Sequence, residues 1–178
     1  DNTSRSIFTV SAWVKRANLS SGQVVISAST TSNFNDKIIG FRSDNTLEVN
    51  NVASGSAAIE IITNRVFRDT NAWYHIVVAV DTTQSALADG VKLYINGVRD
   101  TDFSGSPIYT QSATFEIGRN GSTTAIGRYE SGSSQYFDGY IGNVHYIDGQ
   151  QKLPTDFGET DSTTGIWKPK TYAGTYGN

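Results

Sequence analysis

The chain has 178 residues, with 14 Lys and Arg against 17 Asp and Glu and a formal net charge of -3. No cluster of Lys or Arg forms the basic stripe that phosphate neutralisation needs, which excludes nucleic acid as a partner class. The absence of Cys removes disulfides, thiolate zinc sites and cysteine nucleophiles. The longest uninterrupted apolar run, Ile76 to Val80, is far short of the roughly 20 residues that span a bilayer, so no membrane insertion is expected. A chain of this length is one domain by default. It contains no Met and begins at Asp1 without a basic-then-apolar leader, so it is expected to be a piece of a longer protein.

From Ile7 to Lys15 the sequence alternates, with Phe8, Val10, Ala12 and Val14 on one face and Thr9, Ser11, Trp13 and Lys15 on the other. This predicts a strand with one aromatic on its polar side. A turn over residues 18–22 leads to apolar runs at Val24–Ile26 and Ile38–Phe41, and short strands are predicted at Leu47–Val49 and Ile59–Ile62. Two further runs, Trp73–Val80 and Val91–Ile95, flank a polar loop, and the second closes on Asn96-Gly97. Both residues tolerate positive φ, as a type I′ turn requires, so Val98 to Phe103 should return antiparallel to Val91–Ile95.

Weaker strands are predicted at Thr114–Ile117 and Ala125–Tyr129. In the last strand, Gln135 to Ile147, the parity slips between Ile141 and Val144, and a β-bulge at Gly142 would let both face the core. Many short strands without a helical period predict an all-β, two-sheet antiparallel sandwich. Phe8, Val10, Val14, Ile76, Val78, Leu93, Ile95, Ile141 and Val144 should share its core. Residues 1–148 form this expected domain. Residues 149–178 shift in composition and read as an extension laid over its surface and leading into further chain, with Phe157, Trp167, Tyr172 and Tyr176 as its anchors; the rival reading of this stretch is a disordered linker.

Taken in order, FTVSAWVK, WYHIVVAVD, VKLYINGV and FDGYIGNVHYI resemble the laminin G-like, concanavalin A-like lectin/glucanase superfamily over roughly Ile7 to Asp148. The resemblance implies a two-sheet jelly roll. More narrowly, WVKRANLSSG, NRVFRDTNAWYHIVVAVDTTQ and DFGETDSTTGIWKPKTYAGTYGN resemble repeated modules in structural proteins of marine bacteriophages. That implies a virion surface, or otherwise extracellular, location, with other virion subunits as partners and several copies per particle.

Catalysis by a glycoside hydrolase would need two carboxylates flanking the scissile bond. Enzymes of the resembling superfamily carry Glu-x-Asp-x-(x)-Glu on a central strand, a constellation this sequence lacks. Glu159-Thr160-Asp161 starts like it but lies in the extension, and Asp100 and Asp102 share a strand face with no third acid. The chain is therefore expected not to be an enzyme. His75 and His145 sit on strands without triad partners and read as packed residues.

For sugar binding, flat rings off the aliphatic parity can stack on pyranose faces, and Trp13, Trp73 and Tyr94 are the candidates. The rival reading of these rings is a second packed layer beneath loops or extension. Loop position adds Asn35, Asp36, Arg119, Asn120 and Tyr129. No cofactor is required; the resemblance implies calcium as a possible ligand, with hard oxygens at Asp36, Asp81, Asp100 and Asp138. The expected function is a non-catalytic carbohydrate-binding module of a phage virion, serving adhesion to a host-surface glycan or decoration. The alternative is a purely structural assembly module, and a polysaccharide-degrading enzyme is third.

Overall fold

The computed structural model describes residues 5–19, 21–132 and 134–177. Two antiparallel sheets face each other. The first contains β1 (Ile7–Arg16), β6 (Tyr74–Asp81), β7 (Val91–Ile95), β8 (Val98–Asp100) and β11 (Gly139–Asp148), in the order β11-β1-β6-β7-β8. The second contains β2 (Gln23–Thr31), β3 (Phe34–Phe41), β4 (Thr46–Ala53), β5 (Ser56–Val66), β9 (Ile108–Tyr109) and β10 (Thr123–Ile126), in the order β10-β2-β3-β4-β5-β9. The turn expected over residues 18–22 includes Ser20, which lies outside the described residues.

Period-two patterning places the core. Phe8, Val10, Val14, Ile76, Val78, Leu93 and Ile95 are buried between the sheets with Ile39, Phe41, Leu47, Ile59 and Ile61 of the second sheet, and Ile141 and Val144 pack against them. Asn96 and Gly97 have φ of 49° and 82°, the pair of positive values that a type I′ turn demands. The returning strand is shorter than predicted. It leaves the first sheet after Asp100, and Phe103 bridges to Thr63 of the second.

The bulge in β11 is real and one residue away from its expected place. Ser11 pairs with His145 and Trp13 with Gly142, so β11 has one residue more than β1 between these two pairs, and Asn143 takes the positive φ of 46°. Thr114–Ile117 is not a strand. Its Phe115 and Ile117 still enter the core, but the backbone N–H groups of Glu116 and Ile117 donate to the Asp36 carboxylate at 2.6 and 2.9 Å in place of a ladder partner. The loop after β6 also holds a single helical turn, α1 (Leu87–Gly90), which the sequence did not indicate.

Residues 149–177 form a strap across the outer face of the first sheet. Thr9, Ser11, His75, Val77, Ala79 and Ile147 point away from the core yet are fully buried. Phe157 and Tyr172 form a second cluster with Val77, Tyr94 and Ile147. After a 3-10 turn (Pro154–Asp156), β12 (Gly158–Thr160) and β13 (Trp167–Pro169) make a small hairpin. Asp161 closes it, accepting from the backbone N–H of Thr163 and Thr164 and from Lys168 Nζ. The ring of Trp167 lies against Gly97 and Gly158, where added Cβ atoms would come within 2.9 and 2.5 Å.

Candidate functional site

The cross-strand register of β1 and β6 puts Trp13 directly opposite His75 on the outer face. Their rings stack at 4.8 Å and 12°, and Trp167 from the strap covers His75 at 5.9 Å and 25°. Trp167 Nε1–H donates to His75 Nδ1 at 3.0 Å, so Nε2 carries the imidazole proton and donates to Ser11 Oγ at 2.8 Å. Burial, with the neighbouring His145 charge second, pushes the His75 pKa down to about 4. His75 is a neutral packed residue beneath the strap, and its role is to hold two tryptophans in place.

Beside this stack opens a cleft of about 600 Å³ whose lining includes Trp13, Trp73 and Trp167, all three tryptophans of the chain. Trp13 is 8% exposed and forms the floor, whereas Trp73 is 43% exposed beside Tyr140 at 6.4 Å. Ile166 and Pro169 complete the apolar wall, with Asn96, Asn143 and Lys168 as the polar groups. Asn96 Oδ1 accepts from the His75 backbone N–H at 2.7 Å, leaving Nδ2 as a donor without a partner among the described residues. The buried Trp13 Nε1–H also lacks an acceptor there. Flat aromatic walls with a few directed donors suit a ligand that presents C–H faces and hydroxyl edges.

The other candidates lie elsewhere. Tyr94 is packed beneath Phe157 and Tyr172 and does not line the cleft. Asn35, Asp36, Arg119 and Tyr129 belong to a network around β3 of the second sheet: Tyr129 Oη–H donates to Asn35 Oδ1 at 2.6 Å, and Arg119 pairs with buried Glu116 at 2.9 Å. Glu116 also pairs with Arg5 at 2.7 Å. Asn120 is exposed in the adjoining loop. Burial pushes the Asp36 carboxyl up to about 7 against the bonds it accepts from Asn51, Glu116 and Ile117.

The four calcium candidates are not brought together. Asp36 is fully buried, Asp81 caps its own turn through Thr83 and Gln84, Asp100 faces Arg65 at 3.3 Å, and Asp138 is exposed. Among the described residues no group of three or more His, Cys, Asp or Glu is placed to hold a metal ion. The sequence reading placed Trp167 only as an anchor and missed Asn96, Asn143 and Ile166 altogether. The available signal was that Trp13 and Trp73 lie off the aliphatic parity of their strands; Trp167, in a segment without a period, offered none.

Two facing antiparallel sheets with an aromatic cleft on one outer face define a lectin-type jelly roll. Residues 1–150 match the concanavalin A-like lectin/glucanases superfamily, and the chain belongs to it. Trp167 and most of the strap lie beyond the matched segment.

Similar solved structures include domain 4 of an extracellular arabinanase from Geobacillus stearothermophilus in complex with arabinotriose (TM-score 0.54, 21% identity, 83% of this chain and 63% of that one). A second is the carbohydrate-binding module of the Ruminococcus gnavus IT-sialidase bound to α2,3-sialyllactose (0.59, 11%, 84% and 78%). A third is the heptameric SAP-like pentraxin of Limulus polyphemus (0.50, 17%, 83% and 65%). The chain thus spans just under two thirds of the arabinanase domain and the pentraxin. A search of the curated proteins gives no match.

Proposed function

We propose that this chain is a non-catalytic carbohydrate-binding module whose site is the tryptophan cleft. The observation that carries the reading is the convergence of Trp13, Trp73 and Trp167 on one cleft beside the Asn96 amide, whose Nδ2 has no partner among the described residues. No carboxylate lines it, so it offers binding surfaces and no acid–base pair. The bound sugars of the arabinanase and sialidase domains support this reading. The test is a glycan array probed with multimerised wild-type protein and with Trp73→Ala. Retention that disappears in the variant supports the reading; equal retention moves the site elsewhere. Sustained reducing-end release from a polysaccharide would overturn the non-catalytic assignment. Retention should survive EDTA, since no cleft group is a hard oxyanion; loss on chelation, restored by calcium, would make the ion part of the site.

The finer reading is adhesion or decoration at a phage particle surface, with several copies held by neighbouring virion subunits. It rests on the phage-like motifs of the sequence. A structural assembly role is the second reading, favoured by Tyr136 and Tyr140, each 63% exposed. A blank glycan array together with specific retention on purified particles would select it.

A further inference from the structure

Asn143 and Pro169 line one side of the tryptophan cleft. The same two residues also bound a second depression of about 290 Å³, whose remaining walls include His145, Lys170, Tyr172 and Tyr176. We infer that the two depressions form one groove that binds an extended, uncharged glycan chain along its length, with a tryptophan subsite at one end and a tyrosine subsite at the other. This rests on the carbohydrate-binding reading above and adds the ligand's shape and charge.

Four observations carry it. Each end has an exposed ring, Trp73 at 43% and Tyr176 at 56%. Tyr176 is fixed in advance: it stacks on His145 at 5.9 Å and 24°, and its hydroxyl pairs with His145 Nδ1 at 2.9 Å, so little side-chain freedom remains to be lost on binding. Between the ends lies Asn143, the bulge residue of β11, exposed and with no side-chain hydrogen bond among the described residues. An amide there can both donate to and accept from a hydroxyl of a central sugar unit.

The fourth observation is charge. Neither depression is lined by an arginine or a carboxylate. Lys168 is engaged by Asp161 at 2.9 Å and Glu159 at 3.6 Å, and Lys170 Nζ donates to the Thr155 carbonyl at 3.1 Å. Burial lowers the His145 pKa, which keeps the ring neutral at pH 7. An acidic glycan calls for charge-assisted donors, and the groove's cations are already taken up by strap oxygens.

The experiment is calorimetric titration of the whole chain with linear ladders of arabinan, β-glucan, mannan and xylan, from disaccharide to hexasaccharide, with sialyllactose as the acidic comparator. Affinity should rise with length for at least one ladder, by about tenfold or more, equivalent to about 1.4 kcal/mol. Tyr176→Ala should bring the long oligosaccharides down to the disaccharide level and leave the disaccharide unchanged, whereas Tyr176→Phe keeps the ring and most of the gain. Trp73→Ala should weaken every length.

Affinity flat with length, or a ladder unaffected by Tyr176→Ala, reduces the site to one subsite and overturns the inference while carbohydrate binding stands. Binding of sialyllactose alone overturns the uncharged class. If no ladder binds, the inference falls; a positive glycan array then leaves the broader reading in place, and a blank one removes both.

Discussion

Trp13 and Trp73 both border the cleft but stand under different loads. Trp13 is almost fully buried between His75 and the β11 backbone, so Trp13→Ala should cost about 3 to 5 kcal/mol of stability and lower the melting temperature. Trp73 keeps much of its ring in solvent, and Trp73→Ala should change stability by no more than about 0.5 kcal/mol while removing glycan retention. Thermal melts and retention measured on both variants separate scaffold from contact surface; equal melting temperatures would refute the division.

His75 makes a second residue-scale prediction. Its folded pKa of about 4 lies below the ordinary value, so below about pH 6.5 the unfolded chain takes up the proton first. Stability from this group is complete above pH 6.5 and is lost as pH falls through about 4, on the order of 3 kcal/mol. Asp36 runs the other way: with its folded pKa raised to about 7, it favours the folded state below about pH 4 and loses that contribution as pH rises to 7. The wild-type slope mixes the two. Denaturation of His75→Gln and wild type at pH 7 and pH 4.5 isolates the histidine, and the variant should lose less on acidification.

At the scale of elements, the strap behaves as a unit because one ring fastens it. Phe157 is buried against Val77, Tyr94 and Ile147, and its carbonyl accepts the Lys170 N–H at 2.9 Å. Phe157→Ala should cost about 3 to 5 kcal/mol, a fall of about 10 °C in melting temperature for a domain of this size. It should also free the β12–β13 hairpin to early proteolysis ahead of the jelly roll. Simultaneous cleavage in both regions would mean that the strap has no independent opening. The sequence made the strap's aromatic anchors visible as widely spaced rings in a Pro-containing segment, but not their sheet face. Which outer side chains they cover depends on where residue 148 emerges from β11, a property of the closed sheet.

For the whole molecule, the core spans both sheets, and Leu93 sits in it at 1% exposure. Leu93→Ala should cost about 2 to 5 kcal/mol in a denaturant titration. On the proposed reading, an open cleft of this kind gives only weak single-site affinity. If several copies are held on one particle, linked engagement adds a factor of about 10² to 10⁴, so monomer and multimerised protein should differ by that much in retention on host cells.

The sequence by itself determined the two-sheet architecture, the Asn96-Gly97 hairpin and the core faces of β1, β6 and β7, because alternation and turn chemistry are local and survive without knowledge of neighbours. It also brought out the off-parity rings Trp13, Trp73 and Tyr94, without distinguishing among them. Only the tertiary structure separated Tyr94, sealed under Phe157, from Trp73, left open to solvent, and only it placed Trp167 over His75, 92 residues away along the chain. It likewise turned Thr114–Ile117 from a strand into a segment held by Asp36. The physical reason is the same in each case. A side chain's parity fixes which face it takes, but what lies over that face is decided by long-range packing of a strap and loops whose own sequences carry no period.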